Sequence, residues 1–246
     1  MRSRSPAAAA IALLAVSACD VGAVEPAVQC ETAAAAPSLR SRCGARLDFT
    51  PINAYAGDFP DVQLLEEAVV LINGNCSGTL IDGGEAGELV LTAGHCVGLG
   101  DDALLVFNHE DCADGLQTKV SGHVVERSLT PDYALLTLAQ PVGIAPTPLG
   151  RALSDRLAIV QHPLGQPKVI AEGHMQEAAQ GRLRYADLDT LTGGSGAGVL
   201  NTSGALVAVH SSGDCSDTGG ANTGWLATEI VQASARLDET MFAPGR

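Results

Sequence analysis

The sequence predicts an all-β fold from its short apolar runs, the turn signals between them and its composition. The runs recur from about residue 61, and Gly, Asn, Asp or Pro separates each from the next. Many short strands at regular spacing are typical of a β-sandwich or β-barrel. Hydrophobic residues make up 46% of the 246 residues and aromatic residues only 3%, so aliphatic side chains and alanine must fill the core.

The predicted strands follow one another along the chain. EAVVLINGNCSGTLI holds two apolar runs around an Asn-Gly pair, which predicts a β-hairpin. Further strands are predicted in GELVLTAGHC, DALLVFNHE, KVSGHVVER and DYALLTLAQP. After GIAPTPLG, which is typical of a linker, come LAIVQHP, KVIAEGHMQ, GRLRYADLD, AGVLN, ALVAVHSS and TGWLATEI. EIVQASARLDETM predicts a terminal helix.

The first residues are typical of an export signal. Arg2 and Arg4 form a positive start, and PAAAAIALLAV is apolar but too short to span a membrane stably. The next residues, VSAC, resemble the lipobox of bacterial lipoproteins, where the cysteine sulfur is acylated; a plain secretory signal is the alternative. We expect a signal peptide over 1–18 and a tether over 19–46 that is lipidated at Cys19. The chain is then exported and either lipid-anchored in the cell envelope or secreted.

Cysteine count and charge limit the possible functions. The chain has seven cysteines, and six remain when Cys19 is set aside: Cys30, Cys43, Cys76, Cys96, Cys112 and Cys215. These six can form three disulfides in an oxidising compartment, and no CxxC spacing indicates a zinc ribbon. The formal net charge of −14 argues against nucleic-acid binding, because phosphates would be repelled.

Three polar side chains stand beside predicted strands. His95 follows the strand in LTAGHC, Asp132 begins the strand in PDYALLTL, and Ser195 lies in TGGSGAG. A serine hydroxyl is a weak nucleophile until a base removes its proton, and histidine has a pKa near neutral pH. An aspartate can hold the imidazole in the required tautomer. Each residue alone has an ordinary structural interpretation as a turn, cap or core residue, so the interpretation depends on all three.

Together these motifs resemble the trypsin-like, chymotrypsin-fold serine proteases over roughly residues 66–230. CSGTLI followed by VLTAGHC resembles the family's histidine segment, DYALLTL the aspartate segment and GGSGAGVLN the serine loop, in the order His, Asp, Ser. The resemblance implies two packed antiparallel β-barrels with a short C-terminal helix. It places the first barrel over 47–145 and the second over 146–246.

The resemblance also implies a function. We expect a serine endopeptidase that acts on a polypeptide substrate through His95, Asp132 and Ser195. The N–H groups of Gly193 and Ser195 would form the oxyanion hole, and no cofactor, metal ion or oligomer is implied. A non-catalytic binding or adhesion module on the same scaffold is the alternative. An α/β-hydrolase is excluded, because its GxSxG elbow and its Ser, Asp, His order are both missing.

Two further segments, QHPLGQPKVI and AVHSSGDC, resemble the bacterial glutamyl- and lysyl-endopeptidase branch. By that resemblance, Cys76 pairs with Cys96, Cys30 with Cys215, and Cys43 with Cys112. Animal members carry an aspartate where this chain has Gly194, so we expect an enzyme that is competent without insertion of a freed N-terminus.

The residues of the specificity pocket favour a basic P1 side chain, with an acidic one as the alternative. Asp189 matches the pocket-floor acid of trypsin, which implies a basic P1 residue, although a buried, hydrogen-bonded turn residue is the alternative. His210, with Ser211 beside it, stands where glutamate-specific members place a pocket histidine, which implies an acidic P1 residue. For the NHEDC segment, residues 108–112, we expect a solvated loop rather than a metal site.

Overall fold

The computed structural model describes residues 41–111 and 116–245. The helices in these residues are α1 (Val62–Leu65) and α2 (Ala227–Ala233), with short 3₁₀ helices at Ile52–Ala54, Glu66–Ala68, Gly84–Ala86, Gly94–Cys96, Pro163–Gly165 and Glu239–Met241. The strands are β1 (Thr50–Pro51), β2 (Val69–Ile72), β3 (Cys76–Asp82), β4 (Glu88–Thr92), β5 (Asp102–Phe107), β6 (Thr118–Leu129), β7 (Asp132–Leu138), β8 (Arg156–Gln161), β9 (Val169–Ala179), β10 (Arg182–Tyr185), β11 (Gly198–Asn201), β12 (Leu206–Ser212) and β13 (Asn222–Leu226).

The strands form two antiparallel β-barrels. The first closes in the order β2-β3-β4-β7-β6-β5. The second has the order β9-β10-β13-β12-β11-β8, and pairing of β8 with β9 closes it. The predicted fold of two antiparallel barrels with a short C-terminal helix is confirmed, although α2 ends at Ala233, well before the end of the predicted EIVQASARLDETM helix. Strand β1 pairs with β9, so Thr50–Pro51 extends the second sheet, although the sequence assigned 47–145 to the first barrel.

The predicted Asn-Gly hairpin joins β2 to β3. The two strands pair antiparallel from Val69 opposite Thr79 to Ile72 opposite Cys76. Asn73 and Gly74 have φ values of 50° and 74°, which are the positive angles that a tight hairpin connection requires. Local turn chemistry therefore sets the register of the strand that leads toward the candidate site.

The strands at the junction of the barrels are buried on both faces. In β7, Ala134 and Leu136 belong to the core of the first barrel, whereas Tyr133 and Leu135 belong to the core that both barrels share. Successive side chains of a strand point to opposite faces, so both sets must be apolar when both faces are covered. This explains why DYALLTL is a continuous apolar run rather than an alternating one.

The disulfides confirm one predicted pair and correct two. Cys76 is bonded to Cys96, as predicted. Cys43 is bonded to Cys215, so the predicted pairs Cys30–Cys215 and Cys43–Cys112 are both wrong. The reason is the path of the chain around Cys43, which lies on the second barrel: the N–H of Ser41 donates to the carbonyl of Cys215 at 3.0 Å.

The predicted export and anchoring segments lie outside the described residues. These are the signal peptide over 1–18, the tether before residue 41, and Cys19; Cys30 and Cys112 also lie outside. Within 41–111 and 116–245, no helix has the length and apolar character needed to cross a membrane.

A buried ion cluster links the loop before β9 to segments of the first barrel. The Lys168 ammonium donates to the Glu66 carbonyl at 2.7 Å, to a Glu110 carboxylate oxygen at 2.6 Å and to the Glu66 carboxylate. All three side chains have no exposed surface. The prediction of a solvated NHEDC loop is therefore wrong at Glu110, because the tertiary fold places a lysine opposite it. Removing one partner from such a cluster leaves an uncompensated buried charge.

Glu66→Gln is expected to weaken the pH dependence of stability in the acidic to neutral range. Burial raises the pKa of Glu66 from 4.5 to about 7, outweighing the attraction of Lys168. A carboxyl group with a raised pKa binds its proton more tightly in the folded state, so the free energy of unfolding falls as pH rises between these two values. Glutamine has no such proton, and urea unfolding at about pH 5 and about pH 8 measures the difference.

The matched control is Glu67→Gln, because Glu67 is the neighbouring carboxylate and is partly exposed. This variant should keep the wild-type fall in stability between the two pH values. An equal effect of the two substitutions would contradict the assignment of this pH dependence to Glu66.

Candidate active site

His95 and Asp132 are brought together by two neighbouring strands. His95 lies in the 3₁₀ turn after β4, and Asp132 begins β7, which pairs antiparallel with β4. His95 Nδ1 lies 2.7 Å from Asp132 Oδ2, and the backbone N–H of His95 donates to Oδ1 at 2.9 Å. One carboxylate therefore holds both the ring and the backbone of the histidine.

Asp132 has a third partner that the sequence did not identify. The hydroxyl of Ser211, near the end of β12, donates to Asp132 Oδ2 at 2.7 Å. Ser211 was predicted as a pocket residue, and in the structure its hydroxyl is engaged with Asp132. No spacing in the sequence indicates this contact, because it joins strands of different barrels.

The charges at this pair favour an ionised aspartate and a basic histidine. Burial raises the pKa of Asp132, but its hydrogen bonds with His95 and Ser211 outweigh burial and hold the pKa below 3.8. The hydrogen bond to Asp132 raises the pKa of His95 above 6.5, against the opposing effect of burial. The carboxylate is thus charged at neutral pH and accepts the Nδ1 proton, which leaves Nε2 as the basic nitrogen.

Ser195 lies in a loop that is hydrogen-bonded to the first barrel. The carbonyl of Ser195 accepts from the N–H of Ser77 at 2.9 Å, and the carbonyl of Gly193 accepts from the Ser77 hydroxyl at 2.8 Å. The Ser77 hydroxyl also accepts from the N–H of His162 at 2.9 Å. Ser77, which is fully buried, therefore connects the serine loop with the loop after β8. It stands in the CSGTLI motif, but nothing in the sequence indicates this role.

The backbone at Gly193 and Gly194 has no room for side chains. Gly193 has φ of 100°, and a Cβ there would lie 2.5 Å from the His162 carbonyl oxygen. A Cβ at Gly194 would lie 2.2 Å from Gln161 Oε1, so an aspartate would require this region to shift. Among the hydrogen bonds of residues 41–111 and 116–245, none has the N–H of Gly193 or Ser195 as its donor.

Asp189 is not open to a substrate. It is fully buried, and its two carboxylate oxygens accept from the N–H groups of Cys43 at 2.5 Å and Asp48 at 2.8 Å. Burial raises its pKa, although these hydrogen bonds oppose the shift. The prediction that Asp189 forms the floor of a pocket for basic side chains is therefore wrong, because a distant segment of the chain takes both oxygens. The alternative of a buried, hydrogen-bonded residue agrees with the structure.

His210 is a buried, neutral histidine that contacts Tyr185. Its Nδ1 lies 2.6 Å from the Tyr185 hydroxyl, and its side chain is almost completely buried. Burial, with a smaller contribution from the charge of His95, lowers the pKa of His210 to about 3. Burial raises the pKa of the Tyr185 hydroxyl well above 10.0, so that group keeps its proton.

Thr190, the residue after Asp189, was not selected in the sequence analysis. It is fully buried, and its hydroxyl has no hydrogen-bond partner within the part of the chain that the structure describes. A buried hydroxyl without a partner is costly, and such groups are rare in native structures. The signal was present in the sequence as an Asp-Thr pair before the serine loop, but burial was needed to interpret it.

The described part of the NHEDC segment, residues 108–111, makes contacts within the protein. His109 Nε2 contacts the Gly165 carbonyl at 3.2 Å, and Glu110 is bound to Lys168 as described above. Within residues 41–111 and 116–245, no group of three or more metal-ligating side chains is found.

Comparisons with known proteins agree with this architecture. Residues 76–209 match the family described as trypsin-like peptidase domain. The Rv3671c protease in its inactive form is similar in fold, with a TM-score of 0.56 and 17% identity over 71% of this chain and 90% of that chain. The serine endoprotease from Yersinia pestis has the same TM-score and identity over 70% of this chain, and this chain covers 62% of that one. No curated protein sequence matches the chain.

The family match covers more than half of the sequence and includes β3 to β7 and β8 to β11, the strands that carry His95, Asp132 and the serine loop. At 17% identity, the solved structures add support for the fold alone. The chain belongs to the trypsin-like peptidase domain family.

Proposed function

We propose that this protein is an exported serine endopeptidase that hydrolyses peptide bonds through an acyl-enzyme. The observation that carries the proposal is the double contact of Asp132 with His95, at the ring and at the backbone. This contact orients an imidazole whose free nitrogen can act as a base. The hydrogen bonds from Ser77 that hold the serine loop against the same barrel give further support.

In this mechanism His95 Nε2 takes the proton of the Ser195 hydroxyl as its oxygen attacks the carbonyl carbon of the substrate. The N–H groups of Gly193 and Ser195 donate to the oxyanion, and each such donor contributes about 3 kcal/mol of transition-state stabilisation. His95 then gives its proton to the leaving amine, and water hydrolyses the acyl-enzyme by the same route. Asp132 keeps its negative charge throughout and stabilises the imidazolium that forms.

For the P1 side chain, we propose an acidic residue rather than a basic one. The buried Thr190 hydroxyl has no hydrogen-bond partner within the described residues, whereas the Asp189 carboxylate is already bound. If the protonated Tyr185 hydroxyl donates to His210 Nδ1, then the neutral ring carries its proton on Nε2 and can donate to a carboxylate. A site that offers the Thr190 hydroxyl and His210 Nε2–H as donors, and in which the Asp189 carboxylate is already bound, suits a negatively charged P1 side chain.

For the location, we propose export followed by lipid attachment at Cys19. The support is the predicted export signal over 1–18, together with the two disulfides in the described residues, because disulfides persist in oxidising compartments. Mass spectrometry of the mature N-terminus tests this: an acylated Cys19 is expected, and a free Cys19 thiol would contradict it.

Ser195→Ala is expected to abolish labelling by a fluorophosphonate and to lower kcat by a factor on the order of 10⁶, since the triad acts as a unit. Mass spectrometry of the labelled protein should place the adduct on Ser195. Ser121→Ala, on the exposed side of β6, is the matched control and should label like the wild type. Folded wild-type protein that is not labelled, and that binds peptides without cleaving them, would favour the non-catalytic module instead.

Asp132→Asn is expected to lower kcat by about 10⁴-fold, as in other triads of this kind. It should also move the acidic limb of the kcat/KM profile to lower pH. The limb reports the pKa of His95, which the hydrogen bond to Asp132 raises above 6.5, so loss of that bond lowers it. Steady-state kinetics from pH 5 to pH 9 measure both effects, and an unmoved limb would contradict the assignment.

A peptide library is expected to show cleavage after Glu or Asp at least tenfold faster than after Arg or Lys. Thr190→Val removes the hydroxyl and should lower kcat/KM for Glu substrates by about tenfold, which corresponds to one lost hydrogen bond to a charged group. Thr202→Val, at an exposed turn, serves as the control. Faster cleavage after Arg or Lys in the wild type would overturn the acidic preference.

A further inference from the structure

The N-terminal strap, residues Ser41–Asp48, contacts Asp189 and Thr190, which precede the serine loop, and Cys215 and Asn222, which follow β12. The Ser41 carbonyl accepts from the N–H of Thr190 at 3.1 Å and from the Asn222 side chain at 2.9 Å. The N–H of Ser41 donates to the carbonyl of Cys215 at 3.0 Å. The first residue of the strap therefore joins the segment before the serine loop to the segment after β12.

Asp189 is the residue that the strap holds most completely. Both of its oxygens accept backbone N–H groups of the strap, from Cys43 and from Asp48, and no part of the residue is exposed. The strap also carries two charges that act on the Asp189 carboxylate with opposite effects: the charge of Asp48 raises its pKa, and that of Arg42 lowers it. A carboxylate six residues before Ser195 is thus satisfied entirely from within the chain.

The strap also contacts Gly213, in the segment after β12. The Ser41 hydroxyl oxygen lies 1.6 Å from the point where a Cβ on Gly213 would stand, so the two residues are in direct contact. Gly213 is two residues beyond Ser211, which binds Asp132. The strap therefore contacts the segment that directly follows Ser211.

A covalent bond keeps the strap in place. Cys43, whose N–H binds Asp189, is bonded through its sulfur to Cys215, and the two residues are 172 positions apart in sequence. Closing a loop of this length removes a large amount of chain entropy from the open state. The backbone hydrogen bonds to Asp189 consequently form within a segment that is already tethered.

We propose that the strap Ser41–Asp48 is a specificity determinant: tethered by Cys43–Cys215, it masks Asp189 and so prevents the pocket from accepting a cationic side chain. This inference rests on the proposed function, because it assigns a role to the pocket of that same site. Releasing the strap exposes a buried carboxylate, and a carboxylate that has lost its donors binds a guanidinium, amidinium or ammonium group. With the strap released, the Asp189 carboxylate would favour substrates with a basic P1 side chain.

The test is the binding of benzamidine, a small aromatic amidine, to the full-length protein by calorimetry. The wild type should show no binding at millimolar concentrations. Cys43→Ser/Cys215→Ser should bind it at least tenfold more tightly, and Gly44→Pro should do the same with the disulfide intact. Gly44 has φ of 104°, which proline cannot adopt, so the strap backbone must change there.

The matched pair Asp189→Asn and Asp187→Asn identifies the group responsible. Added to either strap variant, Asp189→Asn should remove the gained binding, whereas Asp187→Asn, at an exposed carboxylate two residues away, should not. A gain that survives Asp189→Asn would overturn the proposal, as would the absence of any gain in both strap variants. In the otherwise native chain, Asp189→Asn should leave the ratio of Arg to Glu cleavage unchanged, and a tenfold fall in Arg cleavage would also overturn it.

The two proposals fail in different ways. Fluorophosphonate labelling of each preparation counts the reactive serines, and it does not depend on the P1 side chain. Absence of labelling in the wild type would contradict the proposed protease activity, while benzamidine binding would still test the strap. Normal labelling in the strap variants, with unchanged benzamidine binding, would contradict only the masking of Asp189.

Discussion

The position of the serine loop depends on one buried residue of the other barrel. Ser77 donates through its N–H to the Ser195 carbonyl and through its hydroxyl to the Gly193 carbonyl, and its hydroxyl also accepts from His162. Hydrogen bonds in a buried environment are strong, and a buried polar group left without a partner is costly. The loop of the second barrel and the strand of the first are therefore held in one arrangement. In the described part of the chain, no hydrogen bond has the N–H of Gly193 or Ser195 as its donor.

Two buried aspartates near the serine loop are stabilised in different ways. Asp132 stays ionised because its donors, His95 and Ser211, outweigh the cost of burial. Asp189 is buried as well, but it is satisfied by backbone N–H groups of the strap Ser41–Asp48 and faces no substrate. The same residue type thus has a candidate catalytic role in one place and a structural role in the other, and its hydrogen-bond partners make the difference.

Features of the fold that depend on neighbours in sequence were predictable. The all-β class, the hairpin at Asn73 and Gly74, and the run of strands follow from turn chemistry and from continuous apolar segments. The grouping of His95 and Asp132 was predictable only through the resemblance of their motifs, because periodicity does not show which strands pair. The disulfide of Cys43 was predicted wrongly, since cysteine order along the chain does not show where the strap lies.

The sequence by itself determined the strands, the residue types available for chemistry and the family, because these depend on local patterns and on motifs in a fixed order. Only the tertiary structure decided what each polar group contacts. Ser77 links the two barrels by hydrogen bonds, Lys168 binds two buried carboxylates, and Asp189 accepts hydrogen bonds from the strap. The physical reason is that burial and hydrogen bonding depend on residues that are far apart in sequence, and such contacts leave no pattern in one chain.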